Sequence, residues 1–186
     1  MRTLFLLVSM SLLVGCGEKT TEAAVTLTMG PLEFCHAGVG CRRVFQVDKN
    51  GTLMSGPERK LGVFSSDGRL TDERGEICRL WPDGKVTHSP GGNVSPYKMQ
   101  LEGDGRVTIS TPRGSGTLTL KDDGTVLRDG APFMIKVQGV TPETKRFATF
   151  ATLCVTLGGG KKAEASPGGA APKKVMGPAK SKQKSP

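Results

Sequence analysis

Between residues 24 and 140 apolar side chains recur at every second position in short runs. Val25, Leu27 and Met29 alternate with threonines, and Tyr97, Met99 and Leu101 alternate with Lys98 and Gln100. Val107 and Ile109 are interleaved with Thr108 and Ser110, and Leu118 and Leu120 with Thr117, Thr119 and Lys121. Phe133, Ile135 and Val137 continue the pattern around Met134, Lys136 and Gln138. A period of two sends alternate side chains to opposite faces, so each run predicts a strand with one buried and one wet face. Such strands belong to an antiparallel sheet covered on one side, or to a barrel wall.

The runs are punctuated by Asn50-Gly51, Asp67-Gly68, Asp83-Gly84, Asp104-Gly105 and Asp123-Gly124, whose glycines lie 17, 16, 21 and 19 residues apart. These dipeptides favour type I′ hairpin turns, in which both central residues need positive φ. Looser reversals fall between them, at Ser55-Gly56-Pro57, Asp72 to Gly75, Ser89 to Pro96, Pro112 to Gly116 and Asp129-Gly130. Alternating tight and loose turns predict an up-and-down meander with the tight turns along one rim. The expected fold is all-β, or mainly β with one C-terminal helix. It is an antiparallel meander of roughly nine to eleven short strands, a number at which a sheet curls or closes into a small barrel. Phe45, Phe64, Met99 and Phe133 on the inward positions predict a packed interior.

Residues 142 to 157 read two ways. Thr141-Pro142-Glu143 resembles a capped helix start, Gly158 is a natural stop, and Phe147, Phe150, Ala151 and Cys154 would share one helical face. Thr149, Thr152, Val155 and Thr156 are strand formers. The capping signals favour the helix, covering the sheet or plugging a barrel mouth.

Composition divides the chain further. Residues 158–186 hold seven lysines against Glu164 and almost no large apolar groups, so they predict a disordered Lys/Gly/Pro/Ala tail with a net charge of +6. Of the whole-chain charge of +9, residues 16–157 then keep only +2, from 18 basic and 16 acidic residues. A nearly neutral domain without a basic, aromatic-bearing stripe argues against nucleic acid as a partner. The tail suits anionic envelope polymers, through contacts that weaken as salt rises.

At the N-terminus Arg2 precedes an apolar run from Leu4 to Leu13, too short to span a bilayer and matching the core of an export signal. It closes with Leu13-Val14-Gly15-Cys16, which resembles the lipobox of bacterial lipoproteins; the resemblance covers residues 1–16 only. It implies a signal peptide over 1–15, cleavage before Cys16, acylation of Cys16 and a lipidated tether over 16–23 leading to a globular domain over 24–157. The implied location is the bacterial cell envelope, anchored in the membrane through Cys16. Gly17, where aspartate would resemble an inner-membrane retention signal, tips the expectation towards the outer membrane.

Four further cysteines remain: Cys35, Cys41, Cys78 and Cys154. An even number in an exported domain predicts two disulfides, and of the three connectivities Cys35–Cys41 with Cys78–Cys154 is preferred. The first closes a glycine-rich loop; the second ties mid-chain to the last element. No cysteine and histidine spacing completes a metal set, and no haem or redox CxxC motif is present.

The inventory offers no catalytic residue. There is no GxSxG elbow or SxxK pair. Asp72/Glu73 and Asp122/Asp123 read as solvated turn carboxylates, and Asp48 to Gly51 starts like a calcium loop but has Arg59 where a glutamate is needed. His88 reads as an exposed loop residue beside Ser89-Pro90, and Trp81 as a core or rim aromatic. The pattern therefore points to a non-catalytic, lipid-anchored domain that binds or scaffolds, with no cofactor or metal and with a protein partner unspecified. The loops at 30–42 and 89–96 are the candidate contact surfaces. A barrel carrying a lipid-like ligand is the alternative, and an envelope hydrolase a third.

Overall fold

The computed structural model describes residues 24–158 apart from Val39 and Asp104. The expected signal peptide over 1–15, Cys16, the expected tether over 16–23 and the expected disordered tail after Gly158 lie outside the described residues.

Twelve strands form a closed barrel: β1 (Leu32–His36), β2 (Arg43–Val47), β3 (Thr52–Ser55), β4 (Arg59–Ser65), β5 (Arg69–Asp72), β6 (Gly75–Leu80), β7 (Lys85–His88), β8 (Lys98–Leu101), β9 (Arg106–Thr111), β10 (Gly114–Leu120), β11 (Thr125–Arg128) and β12 (Ala131–Gln138). Every strand pairs antiparallel with its sequence neighbours, and β1 closes on β12 with Phe34 opposite Val137. The count exceeds nine to eleven because four-residue strands such as β3 and β5 carry too few alternations to stand out.

The tight turns do lie along one rim, but their geometry corrects the type I′ expectation. At Gly51 the N–H donates to the Asp48 carbonyl (3.0 Å), and the Asp48 N–H donates to Thr52 (3.1 Å). Only the glycine has positive φ there; Asn50 does not. That is a three-residue loop with a glycine bulge, one residue longer than a type I′ hairpin. Gly84, Gly105 and Gly124 repeat it with the same pair of hydrogen bonds. Each bulge glycine then takes one more rung of the ladder. The Gly124 carbonyl, for example, accepts the Val137 N–H at 2.8 Å. Gly124 has φ 78°, and a Cβ there would overlap the Val137 carbonyl. The true type I′ turn is Asp129-Gly130, where both residues have positive φ (52° and 81°).

The last element is the helix α1 (Lys145–Gly158), and it sits inside the barrel. Thr141 and Thr144 exchange side-chain and backbone hydrogen bonds ahead of it, and the Ala148 N–H donates to Thr144. From Phe147 to Val155 every residue is buried, on all sides of the helix. A helix buried all round must hide its polar groups. Thr149, Thr152 and Thr156 do so by donating their hydroxyls to the carbonyls of Lys145, Ala148 and Leu153 (2.7–2.8 Å). Phe64 of the wall meets Phe147 and Phe150 edge-on, with centroids 5.4 and 5.9 Å apart. The lumen is therefore filled by α1 and by inward side chains such as Leu80, Val107, Leu120 and Val126.

The first described residues and the start of α1 both pack on the tight-turn rim. Val25 and Leu27 are buried there, the Leu27 N–H donating to Ser66 (2.7 Å), before the chain descends into β1. Lys145 pairs with Asp122 of the same rim (2.7 Å), and α1 runs from there to the opposite, loose-turn rim. Leu157 ends beside Arg59, Lys60, Arg74 and Pro90. No helix among the described residues is long and apolar enough to cross a membrane.

Candidate functional site

Between β7 and β8 the wall is held by only two register pairs. After the turn at Gly84, Val86 and His88 point inward, while Lys85 and Thr87 line the outer face. Only Lys85–Gln100 and Val86–Met99 pair across to β8 before the two strands part. The Ser89 N–H stays on β6 through the Ile77 carbonyl (2.7 Å), and a single 3-10 turn, Pro90–Gly92, leads the chain away. It returns with the Ser95 N–H on the His88 carbonyl (2.8 Å) and the Tyr97 N–H on the Ser95 hydroxyl (3.3 Å).

The gap is an open cleft of about 520 Å³. Lys85, Lys98, Thr87, Thr108 and Tyr97 lie around it, and none of its lining residues carries a carboxylate. Three large apolar residues are exposed among those described, and two of them, Val94 (75%) and Tyr97 (42%), belong to this loop. The third, Met134, lies on β12. Nearby on the outer face the Arg79 guanidinium stacks 3.9 Å over the Trp81 ring, whose N–H donates to Thr87 (3.3 Å). Trp81 is thus a half-buried rim aromatic, as its position at a strand end suggests. A second open cavity, about 790 Å³, lies on the other side of Pro90 and Gly91.

His88 corrects the sequence expectation. It is a strand residue, 7% exposed, not an exposed loop residue. Its Nε2 is sealed from solvent with no hydrogen-bond partner among the described residues, and burial holds its pKa below the ordinary value. Ser89-Pro90 gave a loop signal, while the informative one was parity: His88 stands two positions after the inward Val86. Directly across the ladder from His88 is Cys78, also inward.

Of the cysteines, Cys35 and Cys41 are bonded across the loop between β1 and β2, with Cα atoms 5.1 Å apart. Cys78 and Cys154 are not bonded; they are two buried thiols. Cys78 lies on the wall and Cys154 on α1, and burial drives the Cys154 pKa well up, with the neighbouring Cys78 adding to it. Cys16 lies outside the described residues. His36 is exposed at the end of β1, away from the cleft. Asp48 and Asp123 spend their carboxylates on the turn N–H groups of Asn50 and Thr52 and of Thr125, respectively. These hydrogen bonds lower both pKa values. No group of three or more His, Cys, Asp or Glu side chains among the described residues is placed to hold a metal.

No family model, curated protein or solved structure matches this chain.

Proposed function

We propose that this chain is a lipid-anchored protein of the bacterial envelope, more specifically of the outer membrane, whose plugged barrel is a non-catalytic binding or scaffolding domain. Anchorage rests on Leu13-Val14-Gly15-Cys16 and its apolar lead. The binding surface is the cleft between β7 and β8 with its loop at 89–97. One observation carries that assignment: exposed Val94 and Tyr97 stand beside a cleft that has two lysines and hydroxyls but no carboxylate. Apolar groups left on a surface mark contact sites more often than scattered polar ones do. A carrier needs an empty lumen, and α1 fills it, so the exterior is the better surface.

The chain's polarity suits a tethered role. The described segment that begins at Ala24 packs on the tight-turn rim and α1 ends at the opposite one, so the anchor would join the barrel at one rim and the lysine-rich segment at the other.

The test is photo-crosslinking in cells, with a photoreactive residue at position 97 or, as control, at 134. Adducts to an envelope component at 97, absent at 134 and reduced by Lys98→Glu, are the expected result. Equal labelling at both positions, or none at 97, overturns the assignment.

A further inference from the structure

The outer face around the β7–β8 cleft carries more positive charge than its surroundings neutralise. Arg79 stands opposite Thr87, and Lys85 opposite Gln100. Lys98 is level with Thr87, one step beyond the last pair, Val86–Met99. Arg79 on β6 and Lys98 on β8 are therefore two strand spacings apart, on the order of 10 Å. Lys85 lies on the strand between them. None of the three forms an ion pair with a carboxylate among the described residues. The acids of the two adjoining turns are engaged elsewhere. Asp83 accepts the Lys85 N–H (2.9 Å), while Glu102 accepts the Thr108 hydroxyl (2.8 Å) and pairs with Arg106.

The remaining groups of this face are neutral and of two kinds. Gln100 lies opposite Thr108 and Lys98 opposite Ser110, so amide and hydroxyl groups continue the cationic rows across β8 and β9. Tyr97 and Val94 form an exposed flank. Trp81 is half-buried on the other side, its N–H on Thr87 and its ring under the Arg79 guanidinium.

We infer that the occupant of this cleft, taken as the contact surface proposed above, is an acidic glycan: a saccharide chain with a carboxylate on every second ring. Charge complementarity calls for an anion. Two carboxylates at the Arg79–Lys98 spacing are one disaccharide unit apart. A saccharide also brings hydroxyls to pair with Thr87, Gln100 and Ser110, and the C–H face of a pyranose ring packs on an aromatic ring such as that of Tyr97. An acidic peptide would satisfy the cations, but it binds best along an empty strand edge. Here the loop closes the β7 edge itself, the Ser95 N–H taking the His88 carbonyl (2.8 Å). The cleft is open, so a polymer can pass through it.

Trp81 reports the site. It is the only tryptophan and touches Thr87 within the cationic rows, so its emission responds to a ligand there and not to one held by the lysines after residue 158. The test titrates the full chain carrying Cys16→Ser with hyaluronan hexasaccharide, which has one carboxylate per disaccharide, and follows Trp81 fluorescence. Chitohexaose, neutral and equally long, and hexaglutamate, acidic but not a sugar, are the comparisons. The expected result is a saturable change with hyaluronan alone, weakening as salt rises. Lys85→Ala/Lys98→Ala should weaken binding roughly five- to tenfold, because each exposed ion pair is individually modest. Tyr97→Ala should weaken it several-fold and leave the salt dependence unchanged. Lys49→Ala, the same loss of charge on the β2–β3 turn, should have no effect. No response to hyaluronan, or one indifferent to Lys85 and Lys98, overturns the glycan cleft. An equal response to chitohexaose overturns the need for charge, and an equal response to hexaglutamate overturns the saccharide. Neither removes the cleft as a contact surface, which crosslinking at position 97 measures separately.

Discussion

Phe150→Ala is the sharpest test of the filled lumen. The side chain is 0% exposed, lies on the one helix inside the barrel and meets Phe64 edge-to-face at 5.9 Å. Truncating a buried phenylalanine costs about 3–5 kcal/mol, through lost transfer energy and the cavity left behind. The cost depends on whether the surroundings can collapse. Here they cannot do so easily, because α1 is enclosed by a hydrogen-bonded wall that returns on itself. The lost edge-to-face pair adds about 0.5–1.5 kcal/mol beyond area alone, which places the change at the upper end of that range. A domain of this size has about 5–15 kcal/mol in total, so the variant should fold but melt far earlier. Trp81 is the only tryptophan and is half-buried, so its fluorescence reports urea unfolding directly. Met134→Ala, at a side chain 59% exposed, is the control and should move stability by no more than about 0.5 kcal/mol. A loss below about 1 kcal/mol in Phe150→Ala would refute the packing of α1 inside the barrel, and with it the case for an exterior binding surface.

Other consequences are separable. Gly124→Ala forces a side chain onto the Val137 carbonyl at φ 78° and should cost at least about 2 kcal/mol, whereas Gly103→Ala, with open space around it, should be near neutral in thermal melts. His88 is held neutral by burial, so its folded pKa lies below the unfolded value near 6.5. As pH falls through about 6.5 the unfolded chain binds a proton that the folded chain does not, and stability drops until the folded pKa is reached. Urea midpoints from pH 8 to pH 5 should fall more steeply for the native protein than for His88→Gln; equal slopes would contradict this. If the tail contacts anionic polymers, deleting residues 159–186 should abolish low-salt pelleting with purified cell wall or lipopolysaccharide. Equal pelleting with and without the tail removes that contact.

Much of the barrel was legible in the chain because each strand carries its own evidence. Alternation such as Val107-Thr108-Ile109 is local, and so is the glycine that ends each tight turn. Closure was not legible in the same way. It depends on Leu32–His36 meeting Ala131–Gln138, about a hundred residues away, and no local pattern encodes that pairing. The turn type was misread because Asp-Gly fits both a two-residue loop and a three-residue loop with a bulge. Only the backbone hydrogen bonds separate the two. The helix was visible, but the Thr141-Pro142 signal places its start three residues before the observed one at Lys145, and its place in the lumen was not legible. Thr149, Thr152 and Thr156 looked like strand formers, and only their bonds to the preceding turn reconcile them with burial. The cleft was half legible. The loop at 89–96 drew attention as a contact surface, while His88 was hidden by the proline that follows it.

Where the barrel works rests on the chemistry of one thiol, Cys16. Intact-mass analysis of native protein from the membrane fraction, beside a Cys16→Ser variant, addresses it directly. Lipid attachment means a mature chain that begins at Cys16, carries acyl groups and partitions with membranes, while the serine variant keeps its leader or is released. An unmodified Cys16, or a chain that still begins at Met1 and stays soluble, would contradict the tethered barrel.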